Sequence, residues 1–282
     1  MTARGGRGRV DVSLTSIASR LTGLDAVIGS LLAQDHDDLR VHLHLSREPH
    51  LLDTGVDALP EALRALAESE PDRLAIHWVA NTGPYRKLIP YLWHHWGQSR
   101  LVVTADDDTL YPTDWLRGLV DAHDTYGCCI AQRGHAILVR DGVPAPYRGW
   151  MRTPPERNPD LLLLPTGKDG VLYDTAFFPP EVLDMPTALR IAPTVDDLWF
   201  RWHLIAAGIP VHLRRTDYTD TLTEAEIGDS LYLSYNQAGG NDAAVDRLER
   251  HLRARFGHGV ADIAAARDAV TGGPAARAGD EA

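Results

Sequence analysis

The sequence predicts an α/β fold: a mostly parallel sheet with helices on both faces. Three observations predict it. Short β-rich runs alternate with helical patterns through the first half of the chain, the signature of strand–helix–strand units. The four runs, at residues 10–15, 41–45, 74–79 and 101–105, have strand length rather than helix length. The last of them ends in three consecutive carboxylates, Asp106, Asp107 and Asp108. In open parallel sheets, ligands bind beyond the carboxyl ends of the strands.

Each element follows from its pattern. After the first strand, Leu21, Leu24, Ile28, Leu31 and Leu32 recur at helical spacing. Residues 41–45 alternate with period two, and 61–68 read as a short helix. The third strand, 74–79, precedes a helical stretch over 85–96, and the fourth precedes a helix over 115–123. Pro112 opens that last helix. The second half is less regular. Residues 128–139 read as a strand, and 141–160, with five prolines, as a long loop. Strands over 161–164 and 171–178 flank a turn at 166–170. A helix over 196–207 stops at Gly208 with Pro210 beyond it, a strand follows over 209–213, and Val245, Leu248 and Leu252 mark a C-terminal helix.

The chain has 282 residues, 44% hydrophobic and 24% charged, which suits one large buried core. A formal charge of −11 disfavours nucleic acid and anionic membranes, which need clustered Lys and Arg. It leaves room for a nucleotide whose phosphates meet a metal and one or two local cations. The only cysteines, Cys128 and Cys129, are neighbours, so no disulfide framework is expected and a reducing compartment fits. No apolar run approaches the roughly 18–20 residues of a membrane span, and no signal-peptide core follows the basic N-terminus. A cytoplasmic protein with no transmembrane segment is expected. Residues 10–258 read as one domain between a flexible tail at 1–9 and a disordered tail at 271–282.

Like charges at a strand end need compensation in a partly buried cleft, and a divalent cation bridging carboxylates to phosphates provides it. A solvated acidic loop is the alternative. A second pair, Asp196-Asp197, opens a helix, where it either complements the helix dipole or presents a general base.

The two acidic segments together resemble a known class. Strand–Asp-Asp-Asp–Tyr-Pro–Thr-Asp-Trp-Leu is followed, about ninety residues later, by Asp-Asp-Leu-Trp-Phe and a downstream Ala-Gly-Ile-Pro. This order is similar to the GT-A class of nucleotide-sugar glycosyltransferases, to glycosyltransferase family 2 and to bacterial polysaccharide-type transferases. Thr15-Ser-Ile-Ala-Ser-Arg20, Gly83-Pro-Tyr-Arg-Lys-Leu-Ile-Pro90, Gln132-Arg-Gly-His135 and Gly167-Lys-Asp-Gly-Val-Leu-Tyr173 extend the resemblance across roughly residues 10–255.

The resemblance implies a GT-A-like, Rossmann-like sheet, with a nucleotide-binding half at 10–126 and an irregular acceptor-binding half at 127–258. It implies Mn²⁺ or Mg²⁺ held by two of Asp106, Asp107 and Asp108, with Asp106 near the donor. Asp197 becomes the general base, with Asp196 standing where Glu is more usual, and the reaction inverts the anomeric centre. The expected substrates are a nucleoside-diphosphate sugar of UDP or GDP type and a glycan or small-molecule hydroxyl.

Thr15, Ser16, Arg20, Asn81, Gly83 and Lys87, with Arg86, are the expected donor contacts. Arg133, His135, Trp150, Gly170 and Tyr173, with Gly167, are the expected acceptor or sugar contacts. His203, His212 or His251 would supply a third metal ligand. His42 and His44 share a strand face but lack an acidic partner nearby in sequence, and His94-His95 point apart on a helix. A sugar nucleotidylyltransferase is disfavoured because 15–20 contains no glycine to cradle a triphosphate. A noncatalytic nucleotide- or glycan-binding protein and a two-carboxylate glycoside hydrolase are the other readings.

Overall fold

In β1 (Val10–Thr15) Val10, Val12 and Leu14 share one face and Asp11 and Ser13 the other, and all five are buried. A strand buried on both faces belongs in the middle of a covered sheet. The computed structural model, which describes residues 8–216, 218, 221, 235 and 239–271, places it there. The chain continues through α1 (Leu24–Leu32), β2 (Leu39–Leu45), α2 (Glu61–Ser69), β3 (Leu74–Trp78), α3 (Ile89–His95), β4 (Leu101–Thr104) and α4 (Trp115–Tyr126). Parallel pairing joins β1 to β2 and β4, and β2 to β3.

The second half supplies β5 (Cys129–Ala131), β6 (Gly134–Ala136), β7 (Val139–Arg140), β8 (Val143–Pro144), α5 (Tyr147–Trp150), β9 (Leu163–Pro165) and β10 (Val171–Asp174). It ends with α6 (Met185–Ile191), α7 (Asp196–Ala206), β11 (Val211–Leu213), α8 (Gly240–Phe256) and α9 (Val260–Thr271). The main sheet has seven strands in the order β11-β5-β10-β4-β1-β2-β3, with β10 antiparallel to both neighbours. This is the α/β, mostly parallel fold class expected from the sequence.

Strand alternation divides the core into two layers. Val103, Ile130 and Leu172 face α1, α2 and α4, whereas Val102, Cys129, Ala131, Val171 and Tyr173 face α3, α6, α7 and α8. Each large apolar side chain fully buried this way contributes about 1.5–3 kcal/mol. Among the described residues no helix is long and apolar enough to cross a membrane.

The chain departs from the expected pattern mainly after residue 128. The stretch 128–139 is not one strand. It leaves the main sheet after Ala131, and β6 pairs with β9 instead. Gly134 there runs so close to the Leu164 carbonyl that a Cβ would overlap it. The strand expected over 161–164 begins only at Leu163. The strand expected over 171–178 stops at Asp174, whose carboxylate caps the 3-10 turn Thr175–Phe177 through the Ala176 amide at 2.8 Å. The helical stretch 85–96 splits into a 3-10 turn, Gly83–Lys87, and α3. The loop at 141–160 contains β8 and the single helical turn α5. The helix α9 had no sequence signal, since its apolar residues are mostly alanine. The tails at 1–9 and 271–282 lie outside the described residues, apart from Gly8, Arg9 and Thr271.

Candidate active site

The sheet order fixes where a ligand binds. From β1 the chain adds β2 and β3 on one side and β4 on the other, so the gap between β1 and β4 is a topological switch point. A cavity of about 740 Å³ opens there, lined by residues that follow β1, β2 and β4, by the 3-10 turn Gly83–Lys87 and by the start of α7. That volume suits a nucleotide-sized ligand. Both acidic clusters, Asp106 to Asp108 and Asp196-Asp197, line it together.

The triplet is bonded from all sides. Asp106 accepts from Lys87 Nζ and the Asp169 amide, each at 2.7 Å, while its own amide donates to Tyr111 Oη at 2.8 Å. Asp107 accepts from Ser16 Oγ at 2.6 Å and Arg20 Nη1 at 3.0 Å, which ties the end of β1 to the end of β4. Asp108 also accepts from Arg20, at 3.1 Å, and from the neighbouring Thr109 hydroxyl at 3.3 Å. Burial, then repulsion from Asp106 and Asp107, pushes the Asp108 carboxyl up to about 6.

Local cations gather here despite the acidic chain. Among the described residues, six carboxylates and five fixed cations line the cavity. The chain contains only two lysines, Lys87 and Lys168, and both are among them. Burial opposes the Lys87 ammonium, but Asp106 and Asp196 outweigh it and hold its pKa above the usual lysine range. Arg86 is not on a solvated helix face: it is buried and paired with Asp53 at 2.8 Å. Asp53 also receives the Asn81 amide group at 3.2 Å and the Ala18 and Gly55 backbone amides.

The Asp196-Asp197 pair is aimed by its helix. Arg201, buried in α7, donates to the Ile209 carbonyl at 2.9 Å and to the Leu161 carbonyl, locking the helix to its neighbours. Tyr85 Oη donates to the Ala192 carbonyl at 2.6 Å, tying the Lys87 segment to the entry of α7. Asp197 accepts from its neighbour Leu198 N at 2.8 Å, and the Gly167 backbone lies beside it. Burial, then the Asp196 charge, pushes the Asp197 carboxyl up to about 7, and burial raises Asp196 too. A carboxyl near neutrality is suited to proton transfer at physiological pH.

Most expected donor contacts line the cavity: Thr15, Ser16, Arg20, Gly83, Arg86 and Lys87. The Thr15 hydroxyl is spent on the His44 carbonyl at 2.7 Å. Asn81 does not reach the cavity. It stands behind the wall, where Oδ1 accepts from the Gly83 amide at 3.1 Å and Nδ2 donates to the Glu48 carbonyl at 2.6 Å.

Three acceptor-side expectations are corrected. Trp150 is fully buried beside Trp202, and Tyr173 points from β10 into the same core, so neither offers a face to a sugar. Gly170 serves packing: at its φ of +111° a Cβ would lie 2.6 Å from the Trp115 ring. Arg133, His135 and Gly167 do line the cavity.

The histidines resolve differently from one another. His203, His212 and His251 are absent from the cavity wall, so none is placed as a third ligand. His42 and His44 belong to a polar seam beneath β1 and β2. His42 Nδ1 bonds His77 Nε2 at 3.0 Å, and Asp11 receives Tyr91 Oη at 2.6 Å. Burial, then the neighbouring His77, pulls the His44 imidazole down to about 3, so it is neutral.

Sequence reading missed His50, Asp53, Tyr147, Lys168, Thr194 and Asn241, all of which line the cavity. The scarcity of lysine was a usable signal for Lys168. His50, Asp53 and Thr194 sit on irregular segments, Tyr147 on a single helical turn and Asn241 at a helix start ahead of its first apolar repeat, so no periodicity marks them.

A divalent cation finds only part of a donor set here. Among the described residues no group of three His, Cys, Asp or Glu side chains is arranged to hold a metal on its own. Asp106 and Asp107 have both oxygens engaged. Asp108 is held by longer bonds, from Arg20 at 3.1 Å and Thr109 at 3.3 Å, and retains the most capacity for a cation. The residues fit a cation that arrives with a diphosphate, since Mg²⁺ commonly takes one or two carboxylates plus substrate phosphates. They do not form an all-protein cage.

No family model and no curated protein matches the sequence. Among solved structures the chain is similar to S. aureus TarS 1–349, at 17% identity and a TM-score of 0.45, over 88% of this chain and 74% of that one. It is similar to the same TarS segment in complex with UDP-GlcNAc, at 13% identity and a TM-score of 0.46, with the same coverage of 88% and 74%. It is also similar to 4-diphosphocytidyl-2C-methyl-D-erythritolsynthase from Anaerococcus prevotii, at 11% identity and a TM-score of 0.43, over 84% of this chain and 94% of that one. These likenesses are distant, and the chemistry of the site rests on its own residues.

Proposed function

We propose that this chain is a GT-A-type glycosyltransferase. It moves a sugar from a nucleoside-diphosphate sugar, of UDP or GDP type, to an acceptor hydroxyl with inversion. The observation that carries this reading is the meeting of the Asp106–Asp108 cluster and the Asp196-Asp197 pair in one cavity at a switch point. Residues 10–126 form the donor half and 127–258 the acceptor half.

Arg20 and Lys87 bring positive charge to the diphosphate end, and the Ser16 hydroxyl orients Asp107. Asp197 takes the proton of the acceptor hydroxyl as that oxygen attacks the anomeric carbon. The bond from that carbon to the diphosphate oxygen breaks, and its electron pair leaves with the nucleoside diphosphate. Attack from the face opposite the leaving group inverts the centre. Positioned base catalysis of this kind contributes about 10²–10⁴-fold. Asp108 would hold a Mn²⁺ or Mg²⁺ ion that arrives with the donor, and that ion would supply Lewis-acid stabilisation of the departing diphosphate.

A thermal-shift panel of UDP and GDP, with and without Mn²⁺, tests the donor half through ligand linkage. One nucleotide is expected to raise Tm, and to raise it further with the metal. Folded protein that shifts with neither overturns the reading. Asp197→Asn is expected to keep the shift while losing release of nucleoside diphosphate from the sugar donor. Binding in the wild type without any such release, even to water, assigns a binding protein on the same scaffold.

A further inference from the structure

The wall of the cavity built by β6, α5 and the start of α8 has a chemistry unlike the donor side. Asn241, in the first turn of α8, is 6% exposed and lines the cavity, yet its Oδ1 accepts no hydrogen bond from the described residues. Buried carbonyls without a donor are rare, and each calls for a reason. The adjacent Asp242 accepts the Tyr147 amide at 2.7 Å, so one helix start fixes both the carboxamide and the tyrosine. The Tyr147 ring stands edge-on to His135, with centroids 6.1 Å apart and planes at 88°. It also meets the buried Trp150, with centroids 5.2 Å apart and planes at 41°.

This wall adjoins the proposed base. The strands β6 and β9 pair, the Thr166 amide donates to the Arg133 carbonyl at 3.2 Å, and the backbone of the next residue, Gly167, lies beside Asp197. Of the cations on this side, Arg133 faces the buried Asp169 at 3.4 Å and Lys168 acts on the same carboxylate. An aromatic ring, a planar carboxamide and an imidazole, beside a carboxylate and with the local cations drawn to Asp169, suit a neutral ring bearing hydroxyls. The ring's C–H face stacks on an aromatic, and its hydroxyls meet the amide.

We propose that Tyr147 and Asn241 form the acceptor subsite and that its occupant is a pyranoside ring of a glycan. The assignment rests on the glycosyltransferase reading for the word acceptor, but not for the sugar. Tyr147 supplies the stacking face, and Asn241 supplies the hydrogen bonds that hold a hydroxyl toward Asp197.

Saturation-transfer NMR on the full chain, with methyl β-glucoside, methyl β-galactoside and methyl N-acetyl-β-glucosaminide as probes, tests this. At least one probe is expected to receive saturation, with UDP or GDP present at saturation. The signal is expected to fall at least fivefold in Tyr147→Ala and Asn241→Ala and to survive in Tyr147→Phe. Should Asn241→Ala fail to fold, the two Tyr147 variants decide. No signal from any probe, or a signal unchanged in Tyr147→Ala, overturns the proposal. Displacement of the probe by a nucleotide sugar that binds would reassign the wall to the donor's sugar and overturn it as well. Loss of nucleotide binding in the wild type sinks the transferase reading alone, while loss of the glycoside signal sinks the subsite alone.

Discussion

Lys87 Nζ lies 2.7 Å from Asp106 Oδ1, with both side chains largely enclosed, at 18% and 14% exposure. The other oxygen of the same carboxylate accepts the Asp169 amide at 2.7 Å. One lysine therefore fixes the first aspartate of the triplet, and the segment that carries it is tied to α7 through Tyr85. Removing a partner from such a pair leaves an enclosed charge uncompensated. Lys87→Met is expected to lower stability by about 1–3 kcal/mol and to weaken nucleoside-diphosphate binding at least tenfold. Lys87→Arg should recover part of the binding. Urea unfolding and calorimetric titration with UDP and GDP check both effects, and unchanged affinity in the methionine variant would sink the assignment.

Lysine scarcity makes the cavity addressable. Apart from the chain's own N-terminus, an amine-selective reagent meets only Lys87 and Lys168. Reductive methylation read by mass spectrometry should modify Lys168 faster than the enclosed Lys87. A bound nucleoside diphosphate should slow both by several-fold. Equal rates with and without nucleotide would place the diphosphate elsewhere.

The Asp197 carboxyl, held up to about 7 by burial and by Asp196, gives activity and stability opposite pH slopes. A base works ionised, so kcat/KM should fall about tenfold per pH unit below 7 and level off above it. Stability runs the other way. Between the unfolded value of about 4 and the folded value, the native state holds a proton that the unfolded chain has lost. That stabilising contribution is complete below about pH 4, declines as pH rises through 7 and is absent above. Asp197→Asn should therefore match the wild type near pH 4 and exceed it at pH 8 in urea unfolding. It should remove turnover at both.

Gly170 sits at φ +111° with the Trp115 ring 2.6 Å from where a Cβ would stand, and Trp115 Nε1 donates to the Asp169 carbonyl at 2.8 Å. Gly170→Ala should cost about 1–3 kcal/mol from the backbone strain alone. Displacing Trp115 would also move Asp169 and loosen Asp106. A Tm equal to that of the wild type would show that the loop tolerates the methyl group.

The corrections share one cause. A sequence pattern reports which face of an element is apolar, and it does not report what lies opposite that face. Trp150 and Tyr173 were legible as aromatic, and only packing against Trp202 and Phe178 made them core. Tyr147, three residues before Trp150, lines the cavity because α5 is a single turn that presents one aromatic inward and the other to the site. No periodicity exists over four residues to foretell which.

Some of the site was legible for a physical reason. Three of the four first-half strands, β1, β2 and β4, lie inside the sheet and are largely buried, with β3 at the edge, so their short apolar or alternating patterns stand out. The carboxyl end of the fourth run marked the site because parallel sheets place ligands there.

The sequence by itself determined the α/β class, the order of the first four strands and helices, and the two acidic clusters. These depend on local periodicity and on residue type, which the chain carries in linear order. The tertiary structure alone decided that about ninety residues of separation collapse into one cavity, that Arg86 answers Asp53 and Lys87 answers Asp106, and that Asn241 reaches the same wall. Those pairings depend on crossover connections and long-range packing. No local pattern encodes a distance between residues that meet only when the sheet closes.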